Sequence, residues 1–538
     1  MPAIRSSIST TTEAFATNRS AMLERLAEVR GLEQKIRELS ASKQALFAKR
    51  GQLLPRERVA TLLDKGSPWL EFSTLCGLGM HEDDGKDNVF GGCLISGIGY
   101  VAGVRCVVYA NDSAIKGGML APASMAKMER LQTMAMENKL PFVGLIESAG
   151  GNLTDMADSF VPGGGMFYRQ GRLSALGIPQ IALVHGSSTA GGAYLPGMSD
   201  YSILVKNNAK VFLAGAPLVK AATGEDADEQ DLGGADMHTQ ISGVGDFFAN
   251  DDRDGLRIAR EVVAKLRWNA RSITQERNYK EPLYDVDEIC GIVPIDYREP
   301  YDVREVIARV VDGSDFLDFK PRYGVNTVCG WAEIAGYACA FIGNNGPIDH
   351  DGAAKAAQFI QLCSQTGTPI IFLQNTTGFL VGTHVEQSGL VKHGSKFIQA
   401  VANAPVPKIT LMIGASYGAG NYAMCGRAFG PRFLFGWPNY RVAVMGGEQA
   451  AMVMDIVGRR KAERLGLAPD EAALQAQRER ITSNMDAASS ALYATARVWD
   501  DGLIDPRDTR KVLALTLSIT SEAEGRELHP NTFGVARM

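Results

Sequence analysis

Met22, Leu26, Val29, Leu32, Ile36 and Leu39 recur three and four residues apart, with charged residues filling the positions between them. That spacing predicts an amphipathic helix from about Thr12 towards Lys49, packed on its own chain. PRERVATLLDKGSPWLEF (Pro55–Phe72) predicts a second, shorter helix ended by Gly66 and Pro68. From Val89 the period changes. Strand-like CLISGIGYVAGVRCVVYAN is followed by a helical pattern in SMAKMERLQTMAMEN, strand PFVGLIES, a loop, helix YRQGRLSAL and strand PQIALVHG. Strands alternating with helices predict βαβ units and a largely parallel sheet.

The same pattern then occurs a second time. PFVGLIESAG (Pro141–Gly150) has a counterpart in PIIFLQNTTG (Pro369–Gly378), and IPQIALVHGSSTAGGAY (Ile178–Tyr194) in VPKITLMIGASYGAGNY (Val406–Tyr422). Both pairs share one offset of 228, since 369 − 141 and 406 − 178 agree. Lys127 and Lys355 correspond as well, and AGVRCVVYAND at Ala102 resembles AGYACAFIGNN at Ala335 after a small insertion. The fold class expected is therefore α/β, made by internal duplication. Residues 1–50 form an N-terminal helical segment, 51–285 the first domain and 286–538 the second. The boundary falls in the polar stretch Arg277–Pro300.

Composition narrows the function. The 538 residues are 45% hydrophobic and 21% charged, with net charge −5 and no long basic run, which argues against nucleic acid or an anionic membrane as main partner. No apolar stretch approaches the ~20 residues needed to span a bilayer. Eight scattered cysteines form no CxxC pair, as expected of a reduced, cytoplasmic chain. The first twenty residues are Ser/Thr-rich with two arginines, as in a mitochondrial transit peptide, but Pro2 and Glu13 argue against one. Glycine is in excess: 58 residues against about 38 at the usual share.

That glycine is concentrated in two turns. Each follows a strand and opens a helix: Gly186-Ser187-Ser188-Thr189-Ala190-Gly191-Gly192-Ala193-Tyr194, and Gly414-Ala415-Ser416-Tyr417-Gly418-Ala419-Gly420-Asn421-Tyr422. Small residues at a helix start allow close approach of a ligand to unsatisfied N–H groups. Two such groups make an oxyanion hole, in which one donor contributes ~3 kcal/mol of transition-state stabilisation. A second small-residue loop accompanies each turn, Ser148-Ala149-Gly150-Gly151 and Thr376-Thr377-Gly378. There is no phosphate loop, HExxH, zinc ribbon or GxSxG elbow, and no metal site is expected. His185, His384 and His393 read as structural, and Glu147 as a loop-capping carboxylate rather than a base. Holes without a proton acceptor imply that a bound group brings one.

Several long segments resemble one family: RERVATLLDKGSPWLEF, ANDSAIKGG at Ala110, TAGGAYLPGMSD at Thr189, FLAGAPLVKAATGE at Phe212, HGSKFIQAVANAPVPKITL at His393, GWPNYRVAVMGGEQAAMV at Gly436 and ATARVWDDGLIDPRDTRKVLAL at Ala494. They are similar to the carboxyltransferase (β) subunits of biotin-dependent acyl-CoA carboxylases. The resemblance implies two tandem crotonase-like (ClpP/crotonase) domains and catalysis by backbone amides. Gly191 and Gly192 would hold the thioester enolate of the acyl-CoA, and Ala419 and Gly420 the biotin ureido oxygen. Carboxybiotin would deliver CO₂ and then accept the substrate proton. Biotin would be carried by a separate α subunit that uses ATP and bicarbonate, because this chain has no ATP-grasp signature and no MKM tripeptide. The resemblance also implies a site shared between β subunits, in a homo-oligomer that is a hexamer within α6β6.

TAGGAY, NTTGFLVG and MGGEQAA resemble the geranyl-CoA and 3-methylcrotonyl-CoA branch. Two departures from the 3-methylcrotonyl members bear on the acyl chain: Glu147-Ser148-Ala149-Gly150-Gly151-Asn152-Leu153 where those members read DSGGANL, and Pro162-Gly163-Gly164-Gly165 where they carry a bulky aromatic before the helix that leads to the first turn. Losing an aromatic opens on the order of a hundred Å² of contact surface. The substrate expected is therefore geranyl-CoA, carboxylated at its γ-carbon, with 3-methylcrotonyl-CoA as the alternative. Ala149, Gly150, Gly163, Gly164, Gly165, Thr377 and Gly378 are the candidate substrate-binding residues. A crotonase-like hydratase or isomerase, or a non-catalytic scaffold, is the more distant alternative.

Overall fold

Strands buried on both faces need continuous apolar runs rather than alternation, and this chain supplies them twice. All of Phe142–Ser148 is buried, as is all of Lys408–Tyr417. A computed structural model describes residues 3–80, 90–151, 156–271, 277–532 and 534–535. The described chain divides into two compact units: Arg30–Gln275 with Ala496–Val498 and Ile519–Met538, and Glu276–Thr495 with Met1–Val29 and Trp499–Ser518.

The first unit holds a sheet in the order Leu70–Glu71, Leu94–Val101, Val104–Asn111, Phe142–Ser148, Gln180–Thr189, Tyr201–Val205 and Phe247–Ala249. Its first two pairings are antiparallel and the remainder parallel. Helices Pro122–Glu137 and Met156–Ala175 make the two central crossovers. The second unit repeats this with Leu317–Asp318, Thr327–Ile334, Tyr337–Asn344, Ile370–Thr376, Lys408–Tyr417 and Phe433–Gly436, crossed by helices His350–Thr366 and Leu390–Asn403.

The duplication holds down to register. Phe142 pairs with Gln180 and Ile370 with Lys408, both shifted by 228. The register slips at one equivalent place in each sheet, resuming at Ser148–Ser188 and at Thr376–Ser416. The slip turns the two strand ends, and the loops that leave them, in the same way in each half.

Three local expectations change. The N-terminal helix covers Glu13–Ala41 and a separate short helix covers Gln44–Lys49, while Met22, Leu26, Val29 and Ile36 are buried. The next helix is Pro55–Leu62, four residues short of Gly66; its first turn is closed by the Leu54 amide donating to Glu57 Oε2 at 2.9 Å. Pro162-Gly163-Gly164-Gly165 lie inside the helix Met156–Ala175 rather than ahead of it. Proline and glycine are locally the weakest helix formers. Here tertiary packing decides: Met166, Gln170 and Leu173 are buried, and Gln132 Nε2 donates to the Met166 carbonyl at 2.9 Å.

All eight cysteines are free and buried; burial pushes the Cys76 thiol up to about 11, so it behaves as a small apolar side chain. Among the described residues no helix is long and apolar enough to cross a membrane.

Candidate active site

In the first unit, strand Gln180–Thr189 ends in a turn in which Ala190 takes a left-handed φ of 52°. Gly191 and Gly192 follow in a short 3₁₀ turn that leads to Tyr194–Gly197. Ser188 Oγ closes the turn by donating to the Gly192 carbonyl at 2.9 Å. In the second unit Gly418 takes the equivalent place with φ 56°, and helix Ala419–Ala423 begins directly after it. As the first two residues of that helix, Ala419 and Gly420 have amides with no intrahelical carbonyl to meet. The exposure pattern repeats too. Gly191 and Ala419 are exposed, whereas Gly192 and Gly420 are buried.

The companion loops abut these turns. A Cβ on Gly150 would lie 3.4 Å from the Thr189 carbonyl oxygen, and one on Gly378 3.2 Å from that of Tyr417. Both glycines have positive φ, 87° and 112°. The Gly150 amide donates to Ser148 Oγ and the Gly378 amide to Thr376 Oγ1, each at 3.2 Å. Their carbonyls accept from Leu120 at 3.0 Å and from Ile348 at 2.9 Å. Ala149 and Gly151 are exposed in the first loop and Thr377 in the second. Asn152 and Leu153 lie outside the described residues.

Glycine is required for different reasons in the two turns. A Cβ on Gly192 would reach only Ser188 Oγ at 3.5 Å, and one on Gly191 only Phe167 Cζ at 3.6 Å, both ordinary contacts. The fold leaves room for a methyl group at each, so close helix–strand packing does not explain these glycines. A Cβ on Gly420, by contrast, would lie 2.9 Å from Gly378 Cα.

Helix Met156–Ala175 borders the first turn. Phe167 touches it and packs edge-on to Tyr194, ring centroids 5.7 Å apart. Gly163 and Gly164 precede Phe167 by four and three positions and therefore share its helix face. Gly163 is buried against Met125, and a Cβ there would stand 3.1 Å from the sulfur; Gly164 is exposed with nothing within 4 Å of a Cβ, and Gly165 faces Arg169.

Two of the three histidines have a side-chain partner within the fold. His185 is buried with Nδ1 2.7 Å from Asp252 Oδ1; burial, then the Arg58 charge, lowers its pKa and keeps it neutral at pH 7. His384 Nδ1 pairs with Ser388 Oγ at 3.1 Å. His393 lines a groove of about 380 Å³ between the helices His350–Thr366 and Leu390–Asn403. Glu147 is held by Arg58 at 2.6 Å.

Sequence reasoning missed two supports. Within ANDSAIKGG, the Gly117 carbonyl accepts from the Ala149 amide at 3.0 Å, and a Cβ on Gly118 would collide with the Glu147 carbonyl. In the second half, the Gly418 amide donates to Ala443 at 2.9 Å, at the start of the segment that runs into MGGEQA. The glycines in ANDSAIKGG were the available signal.

Two duplicated, mostly parallel sheets, each with a central strand that ends in a small-residue turn, define a carboxyltransferase-type crotonase fold. The carboxyl transferase domain model matches residues 47–534, and the chain belongs to that family, as a carboxyltransferase β subunit of the biotin-dependent acyl-CoA carboxylases. The crystal structure of the geranyl-CoA carboxylase β subunit of P. aeruginosa is 55% identical, with TM-score 0.94 over 100% of both chains. A Mycobacterium tuberculosis protein described as a "Probable biotin-dependent acyl-coenzyme A carboxylase beta2 subunit" is 50% identical over 490 residues, 91% of each chain. The mitochondrial methylcrotonoyl-CoA carboxylase beta chain of Arabidopsis thaliana is 45% identical over 538 residues, 98% of this chain and 90% of that one.

Proposed function

We propose that this β subunit carboxylates geranyl-CoA at its γ-carbon, with 3-methylcrotonyl-CoA as the alternative substrate. The observation that carries the reading is Gly164, an exposed position with open space on the face of helix Met156–Ala175 that touches Gly191 through Phe167. An aromatic side chain there would fill about 150–250 Å² of surface, the room that a second isoprene unit needs. The 55% identity to a geranyl-CoA carboxylase β subunit supports the same choice.

In this reading residues 51–285 form the acyl-CoA half and 286–538 the carboxybiotin half. The amides of Gly191 and Gly192 donate to the thioester oxygen and strengthen as negative charge builds on it when the γ-proton leaves. Ala149 and Gly150 shape the floor of that half, and Gly163, Gly164 and Gly165 the acyl side. The amides of Ala419 and Gly420 donate to the ureido oxygen of biotin, with Thr377 and Gly378 beside them. This patch fits a small planar urea, because Gly420 packs against Gly378 with no side chain between them. Bound carboxybiotin supplies the carboxyl group and the atom that accepts the substrate proton. Both turns act by holding oxygens in place where water is excluded. The biotin carrier is a separate α subunit that consumes ATP and bicarbonate. The β subunit works as a homo-oligomer, a hexamer within α6β6, in which two copies share each site, and it resides in a bacterial-type cytoplasm.

Steady-state kinetics of the reconstituted α/β enzyme test the substrate. The expectation is a higher kcat/KM for geranyl-CoA than for 3-methylcrotonyl-CoA. A clear preference for the shorter acyl chain would overturn the geranyl assignment and leave the alternative.

A further inference from the structure

The first half has a buried charged cluster where its duplicate is neutral. Arg58, 1% exposed, donates from Nη1 to Glu147 Oε2 at 2.6 Å and from Nε to Asp252 Oδ2 at 3.0 Å. Gln52 Nε2 donates to the His185 carbonyl at 2.8 Å and to Glu147 Oε1 at 3.3 Å. The Leu53 amide donates to Asp252 Oδ2 at 2.8 Å, and Asp252 in turn holds the His185 ring. At the positions 228 residues later, Glu147 becomes Asn375 and His185 becomes Ile413.

Both members of that pair lie under the glycine that leads into the turn. A Cβ on Gly186 would come within 2.5–2.6 Å of Glu147 Cγ, Cδ and Oε1, and a Cβ on Gly414 would collide with Asn375. Asn375 Oδ1 accepts from the Ala415 amide at 3.3 Å. Glu147 instead is held by Arg58 and Gln52, through charge-assisted bonds that fix its rotamer. Gly186 lies only four residues before Ala190, so the height of the Glu147 side chain under Gly186 sets where the strand hands over to the Gly191–Gly192 turn. Arg58 also pairs with Asp252 at 3.0 Å, so removing the Glu147 charge releases the clamp without leaving the guanidinium uncompensated.

We infer that Glu147 is a positioning residue of the first turn: clamped by Arg58 and Gln52, its carboxylate wedges strand Gln180–Thr189 at Gly186 and so sets the donor geometry of Gly191 and Gly192. This rests on the assignment of the first turn to the acyl-CoA. The cluster is peculiar to that half, and the opposite turn is held by a neutral amide, so the two ligands respond differently to its loss.

The test uses the reconstituted α/β enzyme carrying Glu147→Gln, which keeps the shape and removes the charge, Arg58→Gln, and the double variant. The reverse reaction, with carboxylated acyl-CoA as donor and free biotin as acceptor, gives separate constants for each ligand. Small displacements of positioned groups cost up to roughly 100-fold. E147Q is expected to lower kcat/KM for the acyl-CoA at least tenfold, with KM for biotin within twofold and native oligomer size. Because Arg58 acts on the turn through Glu147, the double variant is expected to lose no more acyl-CoA kcat/KM than the larger of the two single losses. E147Q kinetics unchanged within twofold, or a double variant whose loss is the product of the two single losses, would overturn the positioning role. A rise in KM for biotin with acyl-CoA constants unchanged would overturn the assignment of the first turn.

Discussion

Gly420 and Gly378 are in backbone contact: a Cβ on Gly420 would stand 2.9 Å from Gly378 Cα and 3.1 Å from Thr376 Cγ2. Gly420→Ala must therefore spread the second turn from its companion loop. It is expected to cost about 1–3 kcal/mol of stability and to lower kcat about 10- to 100-fold. Gly192→Ala meets only a 3.5 Å contact and should change stability by less than about 0.5 kcal/mol, yet still impair turnover by crowding the ligand. Thermal unfolding alongside kinetics separates the two. A Gly192→Ala enzyme with full kcat/KM for acyl-CoA would mean that the first turn does not face the substrate.

The open position at Gly164 predicts a change of substrate. Gly164→Phe places an aromatic on the face shared with Phe167, where no described atom lies within 4 Å of a Cβ. Filling a hydrophobic pocket discriminates by about 10- to 200-fold, so kcat/KM for geranyl-CoA should fall within that range. The value for 3-methylcrotonyl-CoA should stay within about threefold. Equal losses on both substrates would place Gly164 away from the distal part of the acyl chain.

Ala190 carries backbone strain that its counterpart avoids. Its φ of 52° lies in the left-handed region, which costs an alanine about 1–2 kcal/mol, whereas Gly418 adopts φ 56° without a Cβ. Ala190→Gly removes that cost and adds the extra unfolded-chain entropy of glycine, about 0.4–1 kcal/mol. The net expectation is a gain of up to about 1 kcal/mol, read as a higher denaturant midpoint. A lower midpoint would show that the Cβ of Ala190 makes a contact worth more than the strain.

Acid should loosen the first half through Asp252. Burial alone would raise its pKa, but the His185 hydrogen bond, the Arg58 guanidinium and the Leu53 amide outweigh it and hold the carboxyl at about 2. Its stabilisation is complete above the ordinary carboxyl pKa near 4 and is lost as pH falls towards 2, about 2–3 kcal/mol in all. His185 acts in the same sense. Its lowered pKa means that the unfolded chain takes up a proton below about 6.5 while the folded one resists. The stability difference between the native protein and Asp252→Asn should shrink steadily between pH 5 and 2.5. A difference independent of pH would rule out Asp252 as the titrating group.

The duplication was legible because its carriers are contiguous. A strand, a turn and a helix start survive as strings, and the offset of 228 read from them reappears in the Leu120–Gly150 and Ile348–Gly378 hydrogen bonds. The Arg58–Asp252–His185 cluster was not legible, because its members are 194 and 67 residues apart and no local period marks them. Pro162–Gly165 misled for the opposite reason. Local propensity is strong there and reads as a break, while the helix is imposed by Met166, Gln170 and Leu173 packing beneath it. Glu147 lay between these cases: its place beside the turn was visible, its grip by Arg58 was not.

Each compact unit borrows sequence from the far end of the chain. Residues 519–538 fall with the first half, where Lys139 Nζ donates to the Arg526 carbonyl at 2.7 Å and the Asn531 amide to Ala175, the last residue of the glycine-bearing helix, at 2.8 Å. Residues 1–29 fall with the second, where Phe15 occupies the space over Gly291. The gene therefore cannot be divided at the repeat boundary into two self-sufficient pieces. A fragment ending near residue 275 would lack the tail that staples its own helix, and one beginning there would lack its N-terminal brace. The two copies of the ancestral fold have become mutually dependent through their termini, so selection acts on the full-length chain as one heritable unit.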